Sequence, residues 1–279
     1  MDADDYHGLK EPYISASLIR VLLSKSPAHA RSVHPFFSQV KPESSEAMDH
    51  GTVLHSLVLE GHADMVLEVE HPDFRTAAAR EARDKARAAG FIPMTSPAFT
   101  ELREMAEQIR DRIAGHDADP PLFVDGKAEQ SLFWEDRGVQ CKARLDWIHA
   151  DGLTIDDLKT TKRWADPASF KRTIFSTAYD IQAAFYMRGL SKITGTRLPA
   201  FRFVFAELEP PYGVHVVQLS NAVVALANEK IDYALDMWRH CVDNDVWPCY
   251  QGVETVELPP WVETDWLQRN YQWEETGGI

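Results

Sequence analysis

The amino-acid sequence predicts an α/β fold, with a central mixed sheet made of an antiparallel meander plus further strands and helices on its faces. Three observations carry that expectation. Apolar residues recur at helical spacing through most of residues 1–126, the period drops to two from residue 129 to 160, and helical spacing returns from residue 178 around one further pair of strands. No linker rich in Gly, Ser or Pro separates these blocks. The 279 residues are therefore expected to form one domain, with 1–126 a mostly helical N-terminal part, 127–220 the core, and 221–279 a C-terminal helix and wrapping tail.

Each element follows from local chemistry. Ser15 or Ser17 can cap a helix carrying Leu18, Ile19, Leu22 and Leu23, which ends near Ser26-Pro27 because a residue before proline avoids the helical region. A second helix is expected over Asp49–Glu60, with Val53, Leu54, Leu57 and Val58 on one side and Gly61 as its stop. Thr76–Ala89 ends at Gly90, and Ser96-Pro97 opens a helix to about Ile113 with Leu102, Met105, Ile109 and Ile113 on its apolar stripe. Strands are expected at Glu129–Trp134, Val139–His149 and Leu153–Thr160, turning at Asp136-Arg137-Gly138 and Asp151-Gly152. A helix from Ala178 to Ile193, strands Phe201–Glu207 and Val214–Leu219, and a long helix Asn221–Val242 complete the order. The tail from Trp247, rich in Trp, Pro and Glu, reads as irregular.

Composition narrows the function. With 44% hydrophobic and 26% charged residues the chain can bury a sizeable core. Its 29 basic and 43 acidic side chains give a net charge of -14, which excludes a generally basic nucleic-acid coat protein. Any nucleic-acid contact must be local. The acidity is peripheral: residues 1–126 sum to -8 and 207–279 to -10, whereas 127–206 carry 13 basic and 9 acidic side chains, or +4. No apolar run approaches the ~18 residues of a membrane helix, and Met1 to Asp5 lack the basic start of a signal peptide, so a cytoplasmic location without membrane contact is expected. Cys141, Cys241 and Cys249 form no even framework and no CxxC, which argues against disulfides, a thiolate zinc site and a four-cysteine iron-sulfur cluster. There is no G-x-x-x-x-G-K-[ST], H-E-x-x-H or G-x-S-x-G, so no nucleotide cofactor, zincin or α/β-hydrolase chemistry is indicated.

Alternation in the second strand of the meander places Lys142, Arg144 and Asp146 on one face, and Cys141, Ala143, Leu145 and Trp147 on the other. The third strand groups Ile155, Asp157 and Lys159, and pairing across Asp151-Gly152 brings that face beside Asp146. Two carboxylates converging with a lysine suit an oxygen-ligated divalent cation such as Mg2+, with the lysine assisting a water or stabilising charge on phosphorus. Asp157 and Lys159 alone read first as an ordinary strand salt pair, because D-x-K recurs by chance, and the wider context decides.

The wider pattern is Asp157-Leu158-Lys159-Thr160-Thr161, Arg144-Leu145-Asp146 upstream, Gln182-x-x-x-Tyr186 on the following helix and Gly51-x-x-x-His55 far upstream. To these are added Ile14-Ser15-Ala16-Ser17, Ser26-Pro27-Ala28-His29, Ala128-Glu129-x-Ser131 and Phe133-Trp134. In number and order these motifs resemble the PD-(D/E)xK nuclease superfamily, and within it the exonuclease VIII (RecE)-like branch often encoded by phages and prophages. The usual Pro-Asp is here Leu145-Asp146. The resemblance implies a restriction-endonuclease-like core.

It also implies roles: Asp146 and Asp157 as metal-binding carboxylates, Lys159 as catalytic lysine, His55 and the Leu158 carbonyl as further ligands, and Gln182 and Tyr186 holding the lysine or a DNA phosphate. Glu129 stands where related exonucleases carry an acid, though a cross-strand pair with Lys142 or Arg144 accounts for it equally. His55 also reads as a core histidine, and Gln182 and Tyr186 as anchors of their helix. With Arg144, the cations Lys162, Arg163, Lys171 and Arg172 are either phosphate contacts or a solvated face. The implied activity is Mg2+-dependent exodeoxyribonuclease action, with Mn2+ able to substitute, 5' to 3' on linear duplex DNA in single-strand annealing recombination. An annealing-protein partner and a ring-like homo-oligomer go with it. Two alternatives remain: a structure-specific or single-strand endonuclease in repair or phage defence, and an inactive DNA-binding or assembly subunit.

Overall fold

The computed structural model describes residues 11–38, 45–162, 167–195 and 199–275. Arg163 and the segment Met1 to Asp5 lie outside the described residues. The elements are α1 (Ala16–Ser24), α2 (Pro27–Val33), α3 (Glu46–Leu59), β1 (Val66–Val69), α4 (Ala77–Ala88), β2 (Ile92–Thr95), α5 (Ser96–Ala114), β3 (Gly126–Asp136), β4 (Val139–His149) and β5 (Thr154–Thr161). They continue with α6 (Pro167–Ser176), α7 (Tyr179–Thr194), β6 (Ala200–Glu207), β7 (Val214–Val217), α8 (Asn221–Asn244) and α9 (Pro260–Glu275). Side-chain caps set many helix starts: Ser15, Ser26, Ser45, Thr76 and Ser220 each accept a hydrogen bond from the amide three residues on.

The central sheet has the order β3-β4-β5-β6-β7. It is mixed: β3, β4 and β5 run antiparallel, β5 and β6 parallel, and β6 and β7 antiparallel. The parallel step needs a crossover, which α6 and α7 supply. The helices cover the sheet through three apolar clusters. Ile19 of α1, Phe185 of α7 and Trp238 of α8 pack on Trp134, Cys141 and Ala143. Val53 and Leu54 of α3 and Ile109 of α5 pack on Leu158 and Val204. Phe170 and Ile174 of α6 and Ala183 of α7 pack on Leu145, Ile155 and Phe203. A mixed α/β sandwich of this kind is what the changes of period predict.

Five elements depart from the sequence reading. Residues 61–95 hold a short parallel pair, β1 against β2, inside the part expected to be mostly helical. Each strand has only four residues, too few for a period to register. Helix α2 begins at Pro27, the residue that limits α1, because proline suits the first turn of a new helix. Helix α6 was likewise not anticipated. The expectation of an irregular tail is corrected by α9, which opens at Pro260 and carries Trp261, Trp266, Tyr271 and Trp273. Its apolar residues are spread around the axis instead of forming one stripe, which hid the helical period. Residues Cys249–Ile279 form a compact unit separate from Met1–Pro248. Among the described residues no helix is long and apolar enough to cross a membrane.

Candidate active site

The site lies where the β4–β5 ladder opens. These strands pair only at Trp147↔Asp156 and Ile148↔Ile155. Continuing that register would set Asp146 opposite Asp157, but the carboxylate of Asp146 takes the ladder's place: its Oδ2 accepts the Leu158 amide at 2.8 Å. The alternation expected along β4 also breaks here. Leu145 belongs to the cluster under α6 and α7, and Ile148, three residues later, packs against the same cluster. Strict alternation would send them to opposite faces. On the other side of β4, Glu129 falls opposite Asp146 between the pairs Ala128↔Trp147 and Gln130↔Leu145, and it holds a left-handed backbone, φ 54°. Both interruptions turn carboxylates inward.

One element from the opposite layer completes the group. Helix α3 carries His55, whose Nε2 is 3.0 Å from Asp146 Oδ2 and whose Nδ1 is 3.4 Å from Glu129 Oε1. Ligand atoms of His55, Glu129 and Asp146 all lie within 4.8 Å of one another. Arg144 Nε grips the other oxygen of Glu129 at 2.5 Å. Of the two readings of Glu129, a cross-strand pair and a place in the cluster, the geometry contains both.

Asp157 is fully buried, and its oxygens are divided. Oδ1 forms an ion pair with the Lys159 ammonium, and Oδ2 accepts the Gln182 amide at 2.8 Å. The Lys159 ammonium also lies 5.2 Å from the centre of the Tyr179 ring. Gln182 thus meets the carboxylate, where the resemblance implied the lysine or a phosphate. Tyr186 is half-buried and contacts Phe201 edge-on, one turn further along α7. Leu158 places its side chain in the core beneath α3, with its backbone between the two aspartates. Lys162, Lys171 and Arg172 are exposed.

The electrostatics suit a cation. Burial opposes the charge on His55, but Asp146 and Glu129 outweigh it and raise the imidazole pKa to about 10. Burial pushes Asp157 well above the carboxylate range, with Lys159 opposing and the neighbouring charge of Asp146 adding to it. Against the same burial, His55 and then Lys159 hold Asp146 low. Lys159 stays charged because Asp157 and Asp146 overcome its desolvation. Three carboxylates in so small a volume need positive charge, which a protonated histidine and a lysine provide in part. The donors are carboxylate oxygens and an imidazole nitrogen whose ligand atoms all lie within 4.8 Å of one another, so the group fits a divalent cation.

Sequence reasoning missed a second buried group next to this one. Asp156, completely buried, accepts from Arg202 Nε at 2.6 Å and Nη2 at 2.9 Å, from the Phe123 amide at 3.1 Å, and sits 2.7 Å from His149 Nε2. Arg202 Nη1 also reaches the Pro120 carbonyl at 2.8 Å. The signal was the single arginine in Phe201-Arg202-Phe203-Val204-Phe205, a run otherwise fully apolar.

A mixed sheet clasped by helices gathers carboxylates, a histidine and a lysine where two strands part, and His55, Glu129 and Asp146 among them could hold a metal ion. The profile of the PDDEXK-like domain of unknown function family (DUF3799) matches residues 15–258, and the chain belongs to that family. It is thereby a member of the PD-(D/E)xK superfamily. Among solved structures it is similar to a protein from Eubacterium rectale described as a candidate exonuclease, with TM-score 0.63 and 15% identity over 93% of this chain and 95% of the other. At that identity the similarity speaks for the fold. A phage-related exonuclease from Haemophilus somnus aligns at TM-score 0.33 and 11% identity, over 69% of this chain and 95% of the other. The search of curated protein sequences yields no significant match.

Proposed function

We propose that the protein is a Mg2+-dependent deoxyribonuclease, a 5' to 3' exonuclease acting on linear duplex DNA in single-strand annealing recombination. The observation that carries the nuclease reading is the convergence of His55, Glu129 and Asp146 beside the Asp157–Lys159 pair. Direction and biological setting rest on the resemblance of the motifs to the exonuclease VIII-like branch; the name given to the Eubacterium rectale structure supports exonuclease action alone.

In this reading Asp146, Glu129 and His55 would hold the cation, with Asp157 and the Leu158 carbonyl as further oxygen donors. When bound, the cation supplies Lewis-acid polarisation of the phosphoryl oxygen and lowers the pKa of a water. Lys159, kept charged by Asp157, meets the negative charge that develops on the non-bridging oxygens. Gln182 fixes the rotamer of Asp157 and through it the lysine; Tyr186 lies on the same face of α7. The water oxygen bonds to phosphorus, the bond from phosphorus to the 3'-oxygen breaks, and the products carry a 3'-hydroxyl and a 5'-phosphate. Arg144, Lys162, Lys171 and Arg172 contact DNA phosphates, and the +4 segment that carries them meets DNA while the acidic flanks keep it off the rest of the surface. A ring of like subunits and an annealing-protein partner belong to the same proposal.

The test is incubation of linear, end-labelled and covalently closed duplex with Mg2+. Loss of linear DNA from its 5' ends, with closed circles intact, is the expected result. Cutting of closed circles overturns the exonuclease reading in favour of an endonuclease, and unaltered DNA overturns the nuclease reading.

A further inference from the structure

Outside the metal-type cluster, a cavity of about 610 Å³ is walled by the first turns of α3, the loop before α4, α4 itself and the start of α5. None of its lining residues belongs to the site described above. Three arginines stand in the wall, Arg75, Arg83 and Arg87, in a chain of net charge -14. Three carboxylates stand with them, and two are already engaged. Buried Asp49 accepts from Arg87 Nη2 at 2.5 Å, and Asp73 Oδ1 accepts the Arg75 amide at 2.8 Å with its other oxygen 3.5 Å from Arg75 Nε. The third, Glu46, is exposed and lies 4.0 Å from His50 Nε2. Arg83 draws its own partner, Asp84, from outside the wall. Its guanidinium lies 6.0 Å from the centre of the Phe74 ring, which also lines the space. A ring with a guanidinium beside it is a platform for a flat heterocycle.

Thr95 adds an independent sign of a ligand. It is the N-cap of α5, a 19-residue helix, yet its side chain caps no amide. Only 7% exposed and part of the cavity wall, its hydroxyl has no hydrogen bond among the described residues. A hydroxyl buried without a partner costs free energy, which a ligand oxygen bonded to it would offset. The first turn of α5 contains no acidic side chain, and Ala98 of that turn lines the cavity too. Helix-start amides lack intrahelical partners, so this corner favours an anion.

We propose that this cavity binds a free nucleotide whose base carries an exocyclic amino group. Phe74 and Arg83 take the base, its amino group donates to Asp73 or Glu46, and the phosphate meets Thr95, the start of α5 and the arginines. A free nucleotide fits better than a DNA strand because three carboxylates balance the three arginines, whereas grooves that track a strand are positively charged. The volume lies within the range of small-ligand pockets. The inference does not depend on the nuclease reading, since it uses no residue of the metal-type cluster.

The experiment is calorimetric titration of the full chain in EDTA, which keeps divalent cations from both the cluster and the nucleotide. Deoxyguanosine 5'-monophosphate is compared with deoxyguanosine, thymidine 5'-monophosphate, inorganic phosphate and a single-stranded oligonucleotide. It is expected to bind at least about tenfold more tightly than the nucleoside, the scale of one charge-assisted hydrogen bond, and about tenfold more tightly than the thymine nucleotide, whose base has no amino group. Arg83→Gln and Phe74→Leu are each expected to weaken binding about tenfold, and Lys159→Ala, in the metal-type cluster, to leave it unchanged. Arg75 is exposed, so Arg75→Gln, with the same expected loss, keeps the test decisive if a half-buried wall variant fails to fold. Equal affinity for nucleotide and nucleoside, equal affinity for the thymine nucleotide, or loss of binding in Lys159→Ala overturns the proposal. So does inorganic phosphate binding as tightly as the nucleotide, which would mean an adventitious ion only, and so does binding of the oligonucleotide without the mononucleotide. DNA cleavage without nucleotide binding leaves the nuclease reading standing; nucleotide binding without cleavage leaves this site standing alone.

Discussion

The side-chain amide of Gln182 donates to Oδ2 of Asp157 at 2.8 Å, tying helix α7 to the aspartate that pairs with Lys159. Without this bond Asp157 would keep the lysine but lose the restraint on its plane. Gln182→Ala is therefore expected to lower the turnover number roughly 10- to 100-fold, as loss of an outer-shell partner does. Gln182→Glu, which sets a second carboxylate against Asp157, is expected to cost more. Turnover at saturating Mg2+ checks this, with circular dichroism to show an intact fold. Activity within twofold of wild type would remove Gln182 from the machinery.

Lys159→Ala is expected to cut turnover by about 10²–10³-fold, the cost of removing one group that stabilises transition-state charge. DNA binding in Ca2+ should persist, because the substitution leaves the exposed cations Lys162, Lys171 and Arg172 untouched. Single-turnover hydrolysis of end-labelled duplex separates the two effects.

The pH dependence follows from His55. Its pKa is about 10 in the metal-free fold, against an ordinary value near ~6.5, so it enters a cation complex by losing a proton. Metal affinity is expected to rise with pH through the range 7 to about 10, and binding near pH 7.5 should release close to one proton from this residue. Calorimetry in two buffers of different ionisation enthalpy measures it. Stability has the opposite slope. A group whose folded pKa is raised contributes fully below its unfolded value, and that contribution is lost as pH rises through the folded one. Melting temperature in EDTA should therefore fall between pH 7 and 10 and flatten when His55 is replaced by Gln.

Much of this was legible in the sequence because it is periodic. The strands of the meander, the turn at Asp151-Gly152 and the Asp157–Lys159 pair all follow from a period of two. His55 lies 91 residues from Asp146, and no local pattern joins them; only the resemblance did. The break at Asp146 was invisible for the converse reason. Alternation assumes an unbroken ladder, and here a carboxylate replaces a rung by accepting the Leu158 amide. Asp156 was overlooked beside Asp157 because a doublet of acids reads as surface, until Arg202 is seen opposite it in the β5–β6 register.

That buried pair gives a stability prediction. Asp156→Ala would leave the Arg202 guanidinium, 4% exposed, without its carboxylate and the Phe123 amide without an acceptor. Breaking a buried ion pair by removing one partner costs about 3–5 kcal/mol. Urea unfolding in EDTA should show a loss of that size, and a loss below about 1 kcal/mol would mean that water or His149 takes over the arginine.

Gly189 sets the distance between helix α7 and the sheet. A Cβ built on it would lie 2.7 Å from Cη2 and Cζ3 of Trp134, closer than side chains pack. Trp134 cannot readily yield, since it is 6% exposed and its ring centre lies 4.7 Å from that of Phe185. Gly189→Ala must then lift α7 or turn the indole, an overpacking expected to cost about 1–3 kcal/mol. Because α7 also carries Gln182 two turns earlier, the same shift should lengthen its bond to Asp157 and lower turnover, a coupling that loss of stability alone would not produce at temperatures well below melting. Adding Trp134→Leu removes the obstructing ring. In a double-mutant cycle the second substitution is expected to restore part of the turnover lost to the first, and strictly additive losses would show that the helix position and the site are independent.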